Sequence, residues 1–126
     1  MKLTVIEGEL GVARLGAAVP VPGWAAQGAL SSVTRTAEEL SIICAAHAIP
    51  DGVRAERGFR CFRVVGRLDF SLTGVLASIA SPLAAANVSI LAVATYDTDY
   101  VLVPGHALDR AIAALRAAGH EVLEAC

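Results

Sequence analysis

Residues 64–87, VVGRLDFSLTGVLASIASPLAAAN, decide how the second half of the chain folds. A predicted strand, Cys61–Val65, leads through a polar segment, Gly66–Ser71, into a run in which leucine and isoleucine recur. The recurring residues, at spacings of four, three and four, are Leu72, Leu76, Ile79 and Leu83. Such spacing places them on one face of a helix, so the stretch predicts a strand, a short loop and a helix with one buried stripe.

Both ends of this predicted helix carry residues that suit a helix end. Ser71 stands at the N-cap position, and Asn87 stands where a left-handed residue would end the helix. Pro82 lies inside the pattern and is expected to bend the helix. Backbone N–H groups and the positive dipole end would then face the polar loop and favour an anion, for instance a carboxylate. A loop that binds nothing is the commoner case at such junctions.

Gly74 lies near the start of this predicted helix. Because glycine has no side chain, a ligand could approach the backbone closely there. A valine at position 74 is expected to block such a site while sparing the fold, since valine costs a helix only tenths of a kcal/mol.

The composition indicates a compact intracellular protein. The 126 residues suit one domain or two very small ones, and 56% hydrophobic with 17% charged residues is enough for a core. A net charge of -2 offers no basic field for nucleic acid or for acidic lipid. The N-terminal segment has no signal-peptide pattern, and no apolar run approaches the roughly 20 residues that span a membrane. Three cysteines without framework spacing suit reduced thiols in the cytoplasm.

The first half predicts short strands separated by turns. Leu3–Ile6 and Val12–Leu15 are predicted as strands, hairpinned through a turn at 7–9. Two prolines near Trp24 allow at most one helical turn at 24–27. Further predicted elements are strands at 30–36 and 40–44, a helical turn at 45–49, and a polar boundary from Pro50 to Gly58.

The second half continues with elements in a regular order. Strands are predicted at 89–94 and 100–103, a helix at 107–118 that Gly119 ends, and a last strand at 121–123. The order βαββαβ predicts an antiparallel sheet with both helices on one face.

A weak repeat relates the two halves. One constant shift in residue number sets three apolar segments of the first half against three of the second. The pairs are Leu3 and Val5 with Phe62 and Val64, residues 42–44 with 101–103, and residues 47–49 with 106–108. The first half then has a degenerate helix at the proline segment.

Several chemistries compete for the polar residues. Cys44 and His47 have metal-ligand spacing, but zinc prefers three or four ligands, and buried cysteines with ordinary histidines are the simpler interpretation. A catalytic cysteine needs an electropositive, open setting that Cys61 and Cys126 do not offer. Asp97 and Asp99 share one side of an extended chain and suit an acid–base pair or a cation, or a solvated connection between two strands.

Two other protein classes share the βαββαβ order. RNA-binding modules need exposed aromatic residues on their central strands, where this acidic chain offers only Phe62 and Tyr100. Acylphosphatases use an arginine in the first loop and an asparagine on a strand. Arg67 lies in that loop, but the residues around it do not resemble their phosphate cradle, and no strand carries the asparagine.

Several segments of the chain form a pattern that a known family shares. In the second half they are 69–76 (DFSLTGVL), 81–83 (SPL), 95–103 (TYDTDYVLV) and the helix end at 113–120. In the first half they are 22–25 (PGWA), 32–36 (SVTRT) and 39–42 (ELSI), and together the segments cover nearly the whole chain. In these segments the chain resembles ACT domains, and within them the bacterial tandem proteins related to the CASTOR-type arginine sensors.

The resemblance implies two ferredoxin-like ACT units, a degenerate domain at 1–58 and an intact one at 59–126. Such units bind small ligands, usually amino acids, without catalysing a reaction. The implied ligand-binding residues are Asp69, Phe70, Ser71, Thr73, Gly74, Thr95, Asp97 and Thr98. No cofactor and no metal is implied. The expected assembly is a homodimer that regulates a separate protein.

The leading hypothesis is therefore a non-enzymatic regulatory protein that binds a small molecule, most often an amino acid in this family. One alternative is a ligand-free ACT-type module that only assembles. The other is a small ferredoxin-like hydrolase such as an acylphosphatase. The sequence does not name the ligand, because an aspartate serves a lysine, an arginine or a neutral amino acid alike.

Overall fold

The computed structural model describes residues 1–69 and 72–124, so Phe70, Ser71, Ala125 and Cys126 lie outside the described residues. Within these ranges the chain has a mixed α+β fold with strands, two α-helices and three short 3₁₀ turns. The strands are β1 Lys2–Leu15, β2 Ser32–Arg35, β3 Leu40–Ala45, β4 Ala55–Val64, β5 Leu91–Ala94, β6 Asp99–Pro104 and β7 Glu121–Leu123. The helices are α1 Val75–Ala85 and α2 Leu108–Ala117, and the 3₁₀ turns are Gly23–Ala26, Ala46–Ala48 and Gly105–Ala107.

The chain divides into two compact units. Unit 1 comprises Met1–Glu7 and Arg60–Cys126, and unit 2 comprises Gly8–Phe59. These units differ from the sequence-based division at 1–58 and 59–126 in the N-terminal segment Met1–Glu7, which belongs to unit 1, and in Phe59, which belongs to unit 2. Strand pairing explains its place, because Leu3 of β1 lies beside Val122 of β7 in a parallel ladder.

Unit 1 has the predicted βαββαβ order, with the start of β1 added to its sheet. Its strands lie in the order β7-β1-β4-β6-β5, so β1 separates the two strands that a simple βαββαβ sheet would pair. Both helices bury residues in one core with alternate residues of the strands, which places the helices on one face as predicted. The fully buried members with the largest side chains are Leu3, Phe62, Val64, Ile79, Leu83, Val101, Val103 and Leu115.

The N-terminal segment does not form the predicted hairpin. β1 is one strand of 14 residues, and Gly8 lies inside it with a φ of 92°. A glycine with positive φ can turn a chain back, but it can also absorb a local kink in a strand that continues. The residue types at 7–9 are typical of a turn, but the strand continues through them, so the predicted turn is wrong.

α1 begins later than the helical pattern predicts. Its first residue is Val75, preceded by Gly74 with a left-handed backbone. Leu72 and Leu76, predicted as buried, are 53% and 40% exposed, whereas Ile79 and Leu83 are fully buried. Leu72 lies before the helix starts, so the predicted stripe is correct only for its second half. The Ser71 N-cap lies outside the described residues.

The helix ends follow the sequence prediction. Asn87 has a φ of 59°, and the N–H of Val88 donates to the carbonyl of Leu83, so a left-handed residue closes α1 as predicted. Gly119 ends α2 in the same way, with a φ of 96°. Inside α1, Pro82 has no N–H for the carbonyl of Ser78 four residues earlier. His120 Nε2 bonds that carbonyl at 2.8 Å instead.

Unit 2 has a similar strand frame and no α-helix among its residues. Its strands run in the order β2-β3-β1, and its core contains Leu40, Ile42 and Cys44, with Trp24 packed against it. The prolines limit the segment after β1 to the 3₁₀ turn Gly23–Ala26, which confirms the single turn predicted there. Of the predicted polar boundary at 50–58, residues 50–54 precede β4 and residues 55–58 lie in it, because β4 begins at Ala55. The domain boundary itself stays a prediction.

The elements after each first strand recur at a constant interval. One shift in residue number sets β2 on β5, β3 on β6, and the turn Ala46–Ala48 on the turn Gly105–Ala107. The same shift does not relate the first strands. Leu3 and Val5 lie in the same core as Phe62 and Val64, so they are neighbours within unit 1. In unit 2, the part of β1 that pairs with β3 is Leu10–Leu15.

Candidate functional site in unit 1

A small cavity of about 160 Å³ lies in unit 1 between two connections. One is the loop from β4 to α1, and the other is the turn that joins β5 to β6. The lining residues are Leu68, Asp69, Leu72, Val75, Ala94, Thr95, Tyr96, Asp97, Thr98 and Asp99. Apolar side chains come mainly from the loop and α1, and polar ones mainly from the turn.

A backbone hydrogen bond and an ion pair connect the loop to the turn. The N–H of Leu68 donates to the carbonyl of Asp97 at 2.6 Å. Arg67 Nε lies 3.3 Å from Asp97 Oδ1, and its guanidinium lies 5.6 Å from the centre of the Tyr96 ring. Because both charged side chains are mostly exposed, this ion pair contributes only about 0–1 kcal/mol, and the backbone bond fixes the loop better.

Two threonines shape the turn. Thr95 Oγ1 donates to the carbonyl of Thr98 at 2.9 Å and accepts from its N–H at 3.2 Å. Thr98 is only 7% exposed, and its hydroxyl donates to the carbonyl of Val64 on β4 at 2.8 Å. The hydroxyl proton of Thr98 is thus engaged within the fold and is not available to donate to a ligand.

The charged groups around the cavity are mostly acidic. Asp69, Asp97 and Asp99 all line it, and Arg67 is the basic group paired with Asp97. A carboxylate attracts an ammonium or guanidinium group, and a charge-assisted hydrogen bond is about twice as strong as a neutral one. The turn side of the cavity therefore suits the cationic part of a ligand.

The first turn of α1 borders the same cavity through Val75. The residue before it, Gly74, has a φ of 77° and no side chain that could bond the first N–H groups of the helix. Open space surrounds its Cα, with no atom within 4 Å of an added Cβ. A side chain at position 74 meets no clash, but the left-handed backbone costs strain that helix propensity does not include, so the effect of valine on the fold stays a prediction.

The structure brings together half of the predicted site residues. Asp69, Thr95, Asp97 and Thr98 line the cavity. Thr73 and Gly74 stand just before α1 and are not lining residues, and Phe70 and Ser71 lie outside the described residues. That these residues bind a ligand stays a prediction.

The list of implied ligand-binding residues omits six of the lining residues: Leu68, Leu72, Val75, Ala94, Tyr96 and Asp99. Of these, the sequence makes Asp99 a candidate only for an acid–base pair or a cation site. The spacing of Asp97 and Asp99 is a usable signal, because residues two apart share a side on an extended chain. The exposed Leu72 has no such signal, since its spacing fits the buried stripe of a helix.

The thiols are poor candidates for chemistry. Cys44 and Cys61 are buried and free. Burial raises the pKa of the Cys61 thiol to about 12, with a smaller opposing effect from the backbone at Val101, and burial also raises the pKa of Cys44. Cys44 is fully buried while His47 is exposed, so these two do not form the metal pair that their spacing suggests. Residues 1–69 and 72–124 contain no group of three potential metal ligands.

None of the described helices is long and apolar enough to cross a membrane.

Comparison with known proteins assigns the family. The βαββαβ order with both helices on one face defines a ferredoxin-like unit. The family model for ACT domains matches residues 54–117, and a second family model, for an N-terminal domain, matches residues 8–52. The chain belongs to the ACT domain family. No curated protein matches it.

Several solved structures are similar to this chain over nearly its whole length. A protein from Agobacterium tumefaciens is 39% identical over 99% of this chain and 93% of its own, with a TM-score of 0.94. A Vibrio cholerae protein of unknown function, described as a possible transport protein, has 18% identity, a TM-score of 0.76 and coverage of 93% and 88%. The regulatory subunit of aspartate kinase from Thermus flavus has 14% identity, a TM-score of 0.64 and coverage of 92% and 95%. The last two show likeness of fold alone.

Proposed function

We propose that the chain is a non-enzymatic regulatory module that binds an amino acid in the cavity of unit 1. The observation that carries the proposal is the position of the cavity, between the strand-to-helix loop of an ACT unit and the acidic turn from β5 to β6. A volume of about 160 Å³ suits a molecule smaller than the drug-sized ligands of ordinary pockets.

The two sides of the cavity match the two charges of an amino acid. The start of α1 at Val75, where Gly74 supplies no side-chain cap, presents backbone N–H groups and the positive dipole end, which favour the carboxylate. Asp97 on the turn and Asp99 at the start of β6 favour the ammonium group. Leu68 and Leu72 supply the apolar contact between them.

The wider parts of the proposal rest on family likeness and on the repeat. A tandem of ACT units, as in the CASTOR-type sensors, is supported by the constant interval between matching elements. The structural neighbour from Thermus flavus is itself a regulatory subunit. The protein that the module regulates would be a separate chain. The location of the module in the cytoplasm stays a prediction.

A homodimer is supported by β5, which ends the strand order of unit 1. Its residues are Leu91, Ala92, Val93 and Ala94, all of them at least partly exposed, with no charge or proline that would discourage pairing.

The test is a thermal-shift screen of the purified chain against each of the twenty standard amino acids. A ligand that binds only the native state stabilises it by about 2.7 kcal/mol at a concentration 100 times its Kd. We expect at least one amino acid to raise the unfolding midpoint, and Asp99→Asn to reduce that rise. Asp109→Asn is the matched control, because Asp109 lies on α2 and does not line the cavity.

A screen without any shift would contradict ligand binding and favour the alternative, an ACT-type module that only assembles. Equal shifts in the wild type, Asp99→Asn and Asp109→Asn would place the ligand elsewhere. Turnover of an acyl phosphate would support the hydrolase alternative instead.

A further inference from the structure

The two units contain matching turns that can be compared atom by atom. In unit 2 the N–H of Thr36 donates to the carbonyl of Glu39 at 2.8 Å, and Thr36 Oγ1 accepts from the N–H of Glu39 at 3.1 Å. In unit 1 the N–H of Thr95 donates to the carbonyl of Thr98 at 2.9 Å, and Thr95 Oγ1 accepts from the N–H of Thr98 at 3.2 Å. The two turns therefore have the same construction, at the same interval that relates the flanking strands.

The residue before each turn occupies the same place in its hairpin. Arg35 is the last residue of β2 and lies opposite Leu40, the first residue of β3. Ala94 is the last residue of β5 and lies opposite Asp99, the first residue of β6. An arginine in unit 2 thus corresponds to an alanine in unit 1.

Arg35 joins the end of β2 to the loop after β1. Its guanidinium donates through Nη1 to the carbonyl of Ala17 and through Nη2 to the carbonyl of Val19, the latter at 2.9 Å. Both carbonyls belong to the loop after β1. Arg14 adds a bond from the strand to the carbonyl of Glu38 in the turn, at 3.1 Å. In unit 2, arginine side chains therefore join the end of β2 to the loop and β1 to the turn.

Ala94 borders open space at the matching position of unit 1. It lines the cavity of unit 1 together with Leu68 and Leu72 of the loop after β4. A methyl group makes no bond to a loop carbonyl. The cavity of unit 1 therefore borders the hairpin position that Arg35 occupies in unit 2.

We propose that the residue at this hairpin position decides whether a unit has an open ligand site, so that Arg35 closes unit 2 and Ala94 opens unit 1. The proposal implies that each chain binds one amino acid, in unit 1, and this implication rests on the proposed function. The closure itself is a property of the fold and is tested without a ligand.

The first experiment transfers the closing residue into unit 1. Ala94 is exposed, so the arginine of Ala94→Arg fits without disturbing the core. Its guanidinium can reach the loop carbonyls or the aspartates that line the cavity, Asp69, Asp97 and Asp99. We expect slower hydrogen exchange of the backbone amides at 67–69 and 72–74. Ala92→Arg is the matched control, because Ala92 lies on the same strand and the same side, but outside the cavity.

The second experiment removes the closing residue from unit 2. Arg35→Ala deletes the bonds to Ala17 and Val19, and we expect faster exchange of the amides at 16–19 with no change at 67–69 and 72–74. Unchanged exchange in both Ala94→Arg and Arg35→Ala, relative to Ala92→Arg and wild type, would overturn the proposal.

The ligand arm uses the twenty amino acids one at a time as probes, read by the same thermal shift. For any amino acid that stabilises the wild type, Ala94→Arg should weaken apparent affinity by about 10- to 100-fold, because the ligand must displace a charged, hydrogen-bonded guanidinium. Arg35→Ala and Ala92→Arg should keep the wild-type affinity. If Ala94→Arg binds as the wild type does, the proposal is wrong. If no amino acid binds the wild type while the exchange changes appear, the proposed function fails and the closure by Arg35 stands.

Discussion

Units 1 and 2 share a strand–turn–strand frame and differ in the segment after the first strand. Unit 1 continues through a loop into α1, which has 11 residues, whereas unit 2 has the four-residue 3₁₀ turn Gly23–Ala26. The proline residues at 20 and 22 account for the difference, since proline inside a helix removes a hydrogen bond and costs about 3 kcal/mol or more. The frame therefore depends on the strands and their turns, and the helix distinguishes the unit that has the candidate site.

The difference also sets the size of the two cores. Unit 1 buries residues of two helices against its strands, including Ile79, Leu83 and Leu115. Unit 2 has a smaller buried set around Leu40 and Ile42, completed by the half-buried Trp24. We infer that the hydrophobic stabilisation of unit 1 is the larger, because it scales with apolar area removed from water.

The strongest test of that comparison removes one large side chain from each core. Phe62 is fully buried in unit 1, so Phe62→Ala should lower the free energy of unfolding by about 3–5 kcal/mol. Trp24→Ala should cost less, because Trp24 is only partly buried in unit 2. Urea unfolding followed by circular dichroism measures both. A larger loss for Trp24→Ala than for Phe62→Ala would reverse the order of the two cores.

A glycine at the start of each helical segment gives a second, smaller test. Gly74 precedes α1 with a φ of 77°, so Gly74→Ala should cost about 1–2 kcal/mol, the usual penalty for a left-handed L-residue. Gly23 begins the 3₁₀ turn of unit 2, and its φ is not in that positive range. Gly23→Ala has open space for the added methyl group and should change stability by only tenths of a kcal/mol. Equal losses in thermal unfolding would show that the backbone at position 74 carries no special strain.

The sequence predicts the elements of unit 1 better than those of unit 2. Local chemistry fixes a helix end, so Asn87 and Gly119 can be identified from residue type and position alone. Gly8 misleads because a positive φ serves a tight turn and an extended strand equally well, and only the pairing of β1 with β3 and β7 decides between them. Tertiary pairing of this kind has no signature within a few residues.

The candidate site shows the same limit. The resemblance to ACT domains points to Asp69 and Asp97, which line the cavity. It does not show that the hydroxyl of Thr98 bonds the carbonyl of Val64, on a strand distant in the chain. Nor does it point to Ala94. The role proposed for Ala94 is that its methyl group makes no bond to the loop, and that inference depends on the position of Arg35 in the other unit.

The smallest expected effects concern the matched turns. Thr95→Val removes the hydroxyl that bonds both the carbonyl and the N–H of Thr98, and Thr36→Val removes its counterpart beside Glu39. Valine keeps the shape of threonine and its preference for extended backbone, so the lost bonds dominate the change. Each variant should lower the free energy of unfolding by about 0.5–1.5 kcal/mol, the usual net contribution of a hydrogen bond.

We expect the loss in Thr36→Val to be no greater than that in Thr95→Val, even though Thr36 Oγ1 also accepts from the N–H of Glu38 at 3.1 Å. The bond from Thr36 Oγ1 to the carbonyl of Glu39 is 3.4 Å long, against 2.9 Å for the bond from Thr95 Oγ1 to the carbonyl of Thr98. A longer bond between groups that are also exposed to water contributes less, because water replaces it readily. Urea unfolding of both variants at one pH measures the difference. A clearly larger loss in Thr36→Val would mean that the two turns, despite their common construction, support their units in different ways.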